Sequence, residues 1–559
     1  MVSVDRPSLR DVDDKTANQR PAAVFELIEE AGVSLGGTEG SLDERERRLV
    51  VGAATFHALC RPGQTIRLTV LRGPTGSPPA LTDRKVHRIE WPDDREVVGS
   101  VVLRSTARPP AGATPATGLA DIVVDVGGPP EYEHLYGKHP TVASRARKAV
   151  RFLAPIPFDA LRQYRTDLLE RQLRASEPSR KAAVPLDHPV AQPAPDDRPA
   201  VLFGLHWLEL GGAERWALDT VRMASEAGLT PIVVTDRTSA HPWITRPELD
   251  GAVVVPLTQP LDPAADAEFL SGLLANFDVR GIHIHHNTWL YQRLPWLKAQ
   301  RPDIPVVDSL HILEWRTGGF VDIAARLSNM FDVHHVISPA LRDYLLGQQG
   351  LPADKIQLAT LANLTSADIA AVDHDRAADD PFTVVFVGRF TQQKRPYLFL
   401  QLAARLRKTS PRPVRFVMHG DGELGNEVHT LRARYGLGDV LEIRSPDVPV
   451  AKTLADADVL VISSDNEGLT LTSFEATAAG VPVVSTDVGS QASLVATELL
   501  CPRHPYPFLH AAATSVIAMM TSPDQRKKWL DEQAVKAAAF ARLPDARSWT
   551  RELYQGWLR

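Results

Sequence analysis

The spacing of apolar residues changes character near residue 199. Before it, short apolar runs recur: LVVGAATFHALC, TIRLTVLRG, KVHRIEW, REVVGSVVLRS and LADIVVDVG. Pro, Gly and Asp clusters separate several of them. TIRLTVL alternates polar and apolar positions, as a half-buried strand does. These runs predict a small β-rich accessory domain over 21–130, with an early helix around residues 22–31. Beyond residue 199 apolar strands such as AVLFGLHWL and TPIVVTD alternate with amphipathic helices such as GGAERWALDTVRMASEAG. Strands bracketed by helices predict parallel sheets covered on both faces. A polar break, DHDRAADDP at 373–381, divides this region into α/β halves at 199–372 and 381–545, followed by a C-terminal helix at 546–559. In such sheets ligands bind at the carboxyl ends of strands, so a cleft between the halves is the expected site.

The joining segment, 131–198, has two textures. Residues 145–181 read as helical and basic. A solvated surface helix is the plainer reading, and a patch for anionic lipid headgroups the sharper one. Pro155 and Pro157 are expected to break that helix in two. VPLDHPVAQPAPDDRPA then reads as a semi-extended linker. Residues 1–20 are polar and read as disordered.

Composition narrows the setting. The chain has 559 residues, enough for several domains, and a net charge of −6, which gives no support to nucleic-acid binding. Two cysteines, Cys60 and Cys501, make a disulfide framework unlikely and suit a reducing compartment. No apolar run approaches the ~20 residues of a spanning helix. The expected location is the cytoplasm, compatible with the inner face of a membrane.

The chemistry concentrates in the second half. TVVFVGRFTQQKRPYLFLQLAARL is strand, glycine, loop and helix, with Gly388, Arg389 and Lys394 at the turn. Two cations there suit a diphosphate, since a helix N-terminus already favours anions; solvated surface charges are the equal alternative. DNEGLTLTSFEATAAGVPVV carries Glu467 in a strand-exit loop and Glu475 in a helix expected to start near Thr472 or Ser473. That start puts Glu475 in the first turn, where dipole compensation is the plain explanation. Gly420, Gly422 and Gly425 spell G-x-G-x-x-G, but after the second strand of their half, which argues against a dinucleotide site. Gly211 and Gly212 open a helix after a strand, where a ligand can approach the backbone. His283, His285 and His286 read as packing. His311 lies just past an apolar strand. Asp456 and Asp458 read as polarity at a helix end, and no metal site is expected.

In order and spacing, GGAER (211–215), the HILEW histidine, VISPALRDYL, GRFTQQK, GDGEL and EGLTLTSFEATAAGVPVVST resemble the retaining glycosyltransferases of family 4, which have the GT-B fold of two facing Rossmann-like domains. The resemblance covers about residues 200–500. It implies that Arg389 and Lys394 hold the donor diphosphate, that Glu475 bonds the ribose, and that Glu467 lies at the sugar end. It places the backbone of Gly468, Leu469 and Thr470 near sugar and phosphates, and Pro446 and Asp447 near the base. Gly211 and Gly212 would line the acceptor side, with His311 approaching the transferred sugar. The implied activity moves a hexose-like sugar from a UDP- or GDP-linked donor to a glycan, lipid-linked or small-molecule acceptor, as in cell-envelope polysaccharide synthesis. No metal or other cofactor is implied, and the leaving phosphate serves as base. The chain departs from the family at DVGSQASLV, where Ser490 and Ser493 stand in place of a glycine and an acid. A glycan-binding protein that keeps the scaffold without catalysis is the alternative.

Overall fold

A computed structural model of the chain describes residues 24–35, 41–82, 94–110, 117–129, 149–175, 198–209, 211–258, 261, 263–314, 318–361 and 380–559. The expected disorder at 1–20, the KVHRIEW strand and most of the two polar linkers lie outside them.

The accessory region is a four-stranded sheet of β1 (Phe25–Ala31), β2 (Thr65–Arg72), β3 (Glu96–Ser105) and β4 (Leu119–Asp125), in the order β1-β3-β2-β4. The expected helix at 22–31 is therefore a strand. Its glutamates favour a helix locally, but the ladder to β3, from Phe25 opposite Ser105 to Ala31 opposite Ser100, decides the conformation. The helix of this region is Glu44–Cys60, which takes up the run expected to be β-rich. Asp43 starts it with a capping box: Glu46 N–H donates to Asp43 Oδ1 at 2.7 Å, and Asp43 N–H donates to Glu46 Oε2 at 3.0 Å. Its apolar residues are buried on both sides because it lies between the accessory sheet and the next one. Gly52 and Gly272 let backbones meet there, against the Val254 and Leu59 carbonyls. One apolar core runs through both units.

The first half is a seven-stranded parallel sheet: β5 (Pro199–Leu205), β6 (Thr230–Thr235), β7 (Val253–Pro256), β8 (Asp278–His285), β9 (Val306–Leu310), β10 (Val333–Val336) and β11 (Ile356–Leu358). Its order is β11-β10-β9-β8-β5-β6-β7. The second half is a six-stranded parallel sheet: β12 (Phe382–Val387), β13 (Val414–His419), β14 (Leu441–Arg444), β15 (Val459–Ile462), β16 (Val483–Thr486) and β17 (Leu500–Cys501), in the order β14-β13-β12-β15-β16-β17. Strand order reverses between β5 and β8, and again between β12 and β15. Those two switch points open crevices at the carboxyl ends of the strands.

Two helices tie the pieces together. Helix Ala546–Leu558 returns to the first half, where Tyr554 bonds His283 Nδ1 at 2.7 Å and the Trp557 ring covers Gly281. Helix Pro155–Ala175 packs on the second half beside helices Pro396–Thr409 and Pro505–Thr521. It corrects the expectation of a purely solvated helix: Ile156, Asp159 and Gln163 are buried. As the prolines predict, regular helix is interrupted at Ala154, with a helical turn at 149–153 before it and Pro155 opening the longer helix, but the two pieces stay in line. Proline is tolerated in a first turn, and the bonds from Ala154 N–H to Val150 O and from Phe158 N–H to Ala154 O carry the helical turn across. Among the described residues, no helix is long and apolar enough to cross a membrane.

Candidate active site

The second switch point is built by β12 and β15. β12 ends at Val387, and the loop after it carries Gly388, Arg389 and Lys394 before helix Pro396–Thr409. β15 ends at Ile462, and residues 463–470 lead to helix Leu471–Ala478. The two loops meet at an ion pair, Lys394 Nζ to Glu467 Oε1 at 2.6 Å, with Ser464 Oγ donating to the same carboxylate. Glu467 is 5 % exposed. A buried carboxylate is costly without such partners, so Glu467 is a fixed part of this junction and not a solvated loop charge.

The loop is held from beneath by Arg395. This residue is fully buried, with its backbone at φ 49°. Its guanidinium donates to Ser463 O at 2.5 Å, Ser464 O at 2.8 Å, Arg503 O at 2.7 Å and Asp159 Oδ2 at 3.2 Å. Non-glycine residues adopt that conformation at a cost of order 1 kcal/mol or more, here offset by four acceptors. Asp159 belongs to helix Pro155–Ala175, and the same helix sends Arg162 Nη1 to Asp465 at 2.6 Å. A segment outside both α/β halves thus fixes the loop that presents Glu467.

Helix Leu471–Ala478 starts after Thr470, two to three residues earlier than expected. Glu475 consequently lies beyond the first turn, and dipole compensation does not explain it. Burial raises its carboxyl above the ordinary carboxylate range, with Arg215 of the facing half acting in the other direction. Its carboxylate has no hydrogen-bond partner among the described residues, and the same holds for the exposed Arg389 guanidinium. Gln491 braces the helix start, donating to Thr470 Oγ1 at 3.1 Å and accepting from Ser473 Oγ at 3.0 Å. It sits in the stretch that departs from the family pattern, beside Ser490, whose N–H donates to Gly468 O at 3.1 Å.

The facing half contributes its own switch point. Gly211 caps helix Gly212–Ala227, and a side chain on Gly211 would run into the Glu214 carboxylate. Burial would raise the Glu214 pKa, but the hydrogen bond and charge of His206, with Trp207 Nε1–H, bring it to about 2. His311 follows β9 and is buried. Burial lowers its pKa to about 3, with His335 adding to the effect, so it is neutral at pH 7. Its Nε2 lies 3.3 Å from His285 Nδ1, while its Nδ1 is unpartnered. The histidine cluster is internally bonded: His283 reaches Ser309 at 2.9 Å and His285 reaches Thr220 at 3.0 Å. No metal-holding group occurs among the described residues. The two halves touch where Gly468 lies against the His311 carbonyl, and any side chain at 468 would collide with it. Leu469 packs against both apolar cores. A cavity of about 170 Å³ remains beside this contact, with Glu467, Gly468 and Gly489 on one wall and Ser338 and Leu341 on the other.

A family model described as Glycosyltransferase Family 4 matches residues 210–359, and one described as Glycosyl transferases group 1 matches 371–531. Together they span more than half of the chain. The chain belongs to glycosyltransferase family 4. It is similar to a D-inositol 3-phosphate glycosyltransferase of Stackebrandtia nassauensis, 26% identical over 347 residues, covering 52% of this chain and 74% of that one. A Catenulispora acidiphila protein of the same description is 28% identical over 360 residues, 56% and 81% of the two chains. Among solved structures, Anabaena HepE in complex with UDP and glucose gives a TM-score of 0.48 at 18% identity, over 65% of this chain and 99% of that one. A sucrose-phosphate synthase from Thermosynechococcus elongatus gives 0.48 at 18%, over 65% and 98%.

In this glycosyltransferase the GT-B architecture brings Lys394, Glu467, Gly468, Leu469 and His311 together. Gly388, Arg389, Thr470 and Glu475 lie on the same carboxyl edge of the second sheet, and Gly211 and Gly212 on that of the first. Pro446 and Asp447 form an exposed turn after β14, in which Asp447 accepts from Ser445 Oγ at 2.7 Å. The G-x-G at Gly420 and Gly422 lets its loop lie against Gly388 and Phe390, which explains those glycines without a dinucleotide. Asp458 accepts from Thr383 N–H at 2.7 Å and Asp456 pairs with Arg444, so both act structurally. Arg395, Asp159 and Gln491 escaped the sequence reading. The only trace of them was a second cation directly after Lys394 and one of the few carboxylates in a basic helix.

Proposed function

We propose that this glycosyltransferase transfers a sugar from a nucleoside diphosphate donor with retention of configuration. One observation carries the reading: the Lys394–Glu467 pair at the switch point, closed over by the Gly468–His311 contact, beside an unpaired Arg389 and an unpaired, half-buried Glu475. A nucleotide-sugar supplies the missing partners. Its diphosphate bonds Arg389 and Lys394, its ribose hydroxyls donate to Glu475, its base stacks near Pro446 and Asp447, and its sugar lies by Glu467 and the neutral His311. Fixed cations stabilise the charge that develops on the leaving diphosphate. The transition state is oxocarbenium-like, and Glu467 is already paired to Lys394, so it makes a poor nucleophile. The departing phosphate oxygen then takes the acceptor proton on the same face. No metal is required where cations and backbone N–H groups line the diphosphate. The acceptor enters a polar cleft of about 320 Å³ between Ile312 and Glu314 of the first half and Gln392, Gln393 and Asp465 of the second. The relatives' description makes polyol phosphates the first acceptors to try.

The test is a thermal-shift and donor-turnover screen over UDP- and GDP-sugars, with an Arg389→Ala/Lys394→Ala double variant. Expected are a melting shift with one nucleotide and loss of turnover by two orders of magnitude or more in the variant, on the scale of removing preorganised charge stabilisation. Full activity in the double variant overturns the reading.

A further inference from the structure

Helix Pro155–Ala175, with the helical turn at 149–153 before it, has two faces of different character. One is sealed to the second half: Ile156 enters that core, Asp159 pairs with Arg395, and Arg151 pairs with Glu427. The other carries Val150, Leu153, Leu161, Tyr164 and Leu168, each between 41 and 63 % exposed. These five positions are spaced as one stripe, within an arc of about 80° at 100° per residue. They account for five of the few large apolar side chains that the described residues leave open to solvent. Isolated exposed apolar residues are ordinary; a continuous stripe on one helix is not.

Charge selects what covers the stripe. Residues 145–181 hold ten Lys and Arg against four Asp and Glu, in a chain whose net charge is −6. Arg165 is exposed and flanks the stripe. In a symmetric pair of copies this basic segment would face itself, like charge against like, whereas an anionic lipid surface matches both the charge and the apolar stripe. Tyr164 has the amphipathic ring that suits the headgroup level. We infer that this helix is a peripheral membrane-docking surface for anionic lipid, with Leu161, Tyr164 and Leu168 seated at the acyl boundary and Arg165 on headgroup phosphates. The segment lies outside both matched family regions, so the inference stands apart from the transfer reaction. It would place the Arg162 side of the acceptor cleft close to the lipid.

The full chain is tested by co-sedimentation with phosphatidylcholine vesicles containing 0 or about 40 % phosphatidylglycerol, at two salt concentrations. The variants are Leu161→Asp/Tyr164→Asp, and Arg165→Glu alone. All three positions are exposed, and unchanged melting verifies the fold. Expected are binding to the anionic vesicles alone, weakening with salt, a loss on the order of tenfold or more in the double variant, and a smaller loss in Arg165→Glu. Three results overturn the inference: no binding to anionic vesicles, equal binding by the double variant, or a homodimer in sedimentation velocity that the double variant dissolves.

Discussion

Lowering the pH from 7.5 to 5.5 should destabilise the first half through its buried histidines. His241, His283, His285, His286, His311 and His335 are all buried there. Burial, reinforced at most of them by charges nearby, depresses each below the ordinary 6.5: to about 3 for His241 and His311, to about 4 for His335, and well below for the rest. The folded state therefore binds protons more weakly than the unfolded chain. This contribution is intact above pH 6.5 and is lost as pH falls below it. At pH 5.5 an unfolded histidine gains about 1.4 kcal/mol by protonation that its folded counterpart forgoes. Six independent groups would cost about 8 kcal/mol, against a total stability of about 5–15 kcal/mol. Glu209, Asp236, Asp465 and Glu475, whose carboxyls burial raises, take up protons first in the folded state and offset part of this. A net loss smaller than that sum is expected. Urea unfolding of the full chain followed by tryptophan fluorescence measures it, as a lower midpoint at pH 5.5. An unchanged or higher midpoint refutes the reasoning.

Other outcomes follow from single contacts. Gly468→Ala places a methyl group in the His311 carbonyl, so donor turnover should fall at least tenfold while melting changes little, read by initial rates beside a thermal scan. Asp159→Asn leaves the Arg395 guanidinium buried without its counter-charge. It should cost about 3–5 kcal/mol, seen as a lower melting temperature, and an unchanged value would show that the carbonyl acceptors suffice. Tyr554→Phe removes the bond to His283 and should cost about 1 kcal/mol in chemical denaturation. Glu467→Gln keeps the side-chain shape but removes the counter-charge of the part-exposed Lys394, so turnover should drop with the melting temperature nearly kept; full turnover would exclude Glu467 from the sugar end.

The sequence made the α/β halves legible because parallel-sheet strands are nearly all apolar and their exit loops carry the polar residues. EGLTLTSFE and GRFTQQK were readable for the same reason: their charges follow strands directly, where topology sets the crevice. What was not legible depends on contacts distant in sequence. Residues 25–31 are rich in glutamate and look helical until β3 pairs with them. Pro155 and Pro157 mark the interruption at Ala154 correctly, but not the hydrogen bonds that keep the two helical pieces in line. Asp159 looks like a surface acid, and only the fold brings it 3.2 Å from Arg395. Glu475 was placed in the first turn, when it lies beyond it, because Thr470, Thr472 and Ser473 can all start a helix.

The return of helix Ala546–Leu558 to the first half bears on how the molecule is made. Tyr554 is fully buried in the first core, and Thr360 bridges Asp545. The ribosome delivers that helix only after the whole second half has emerged. Until then the first half displays an uncovered β8 face, with Gly281 bare and His283 lacking its phenol partner. Contacts this distant in sequence close slowly, and exposed apolar surface in the interval invites misassembly. The order of synthesis thus makes helix Ala546–Leu558 a latch, one that closes on the first half only after the second has been made.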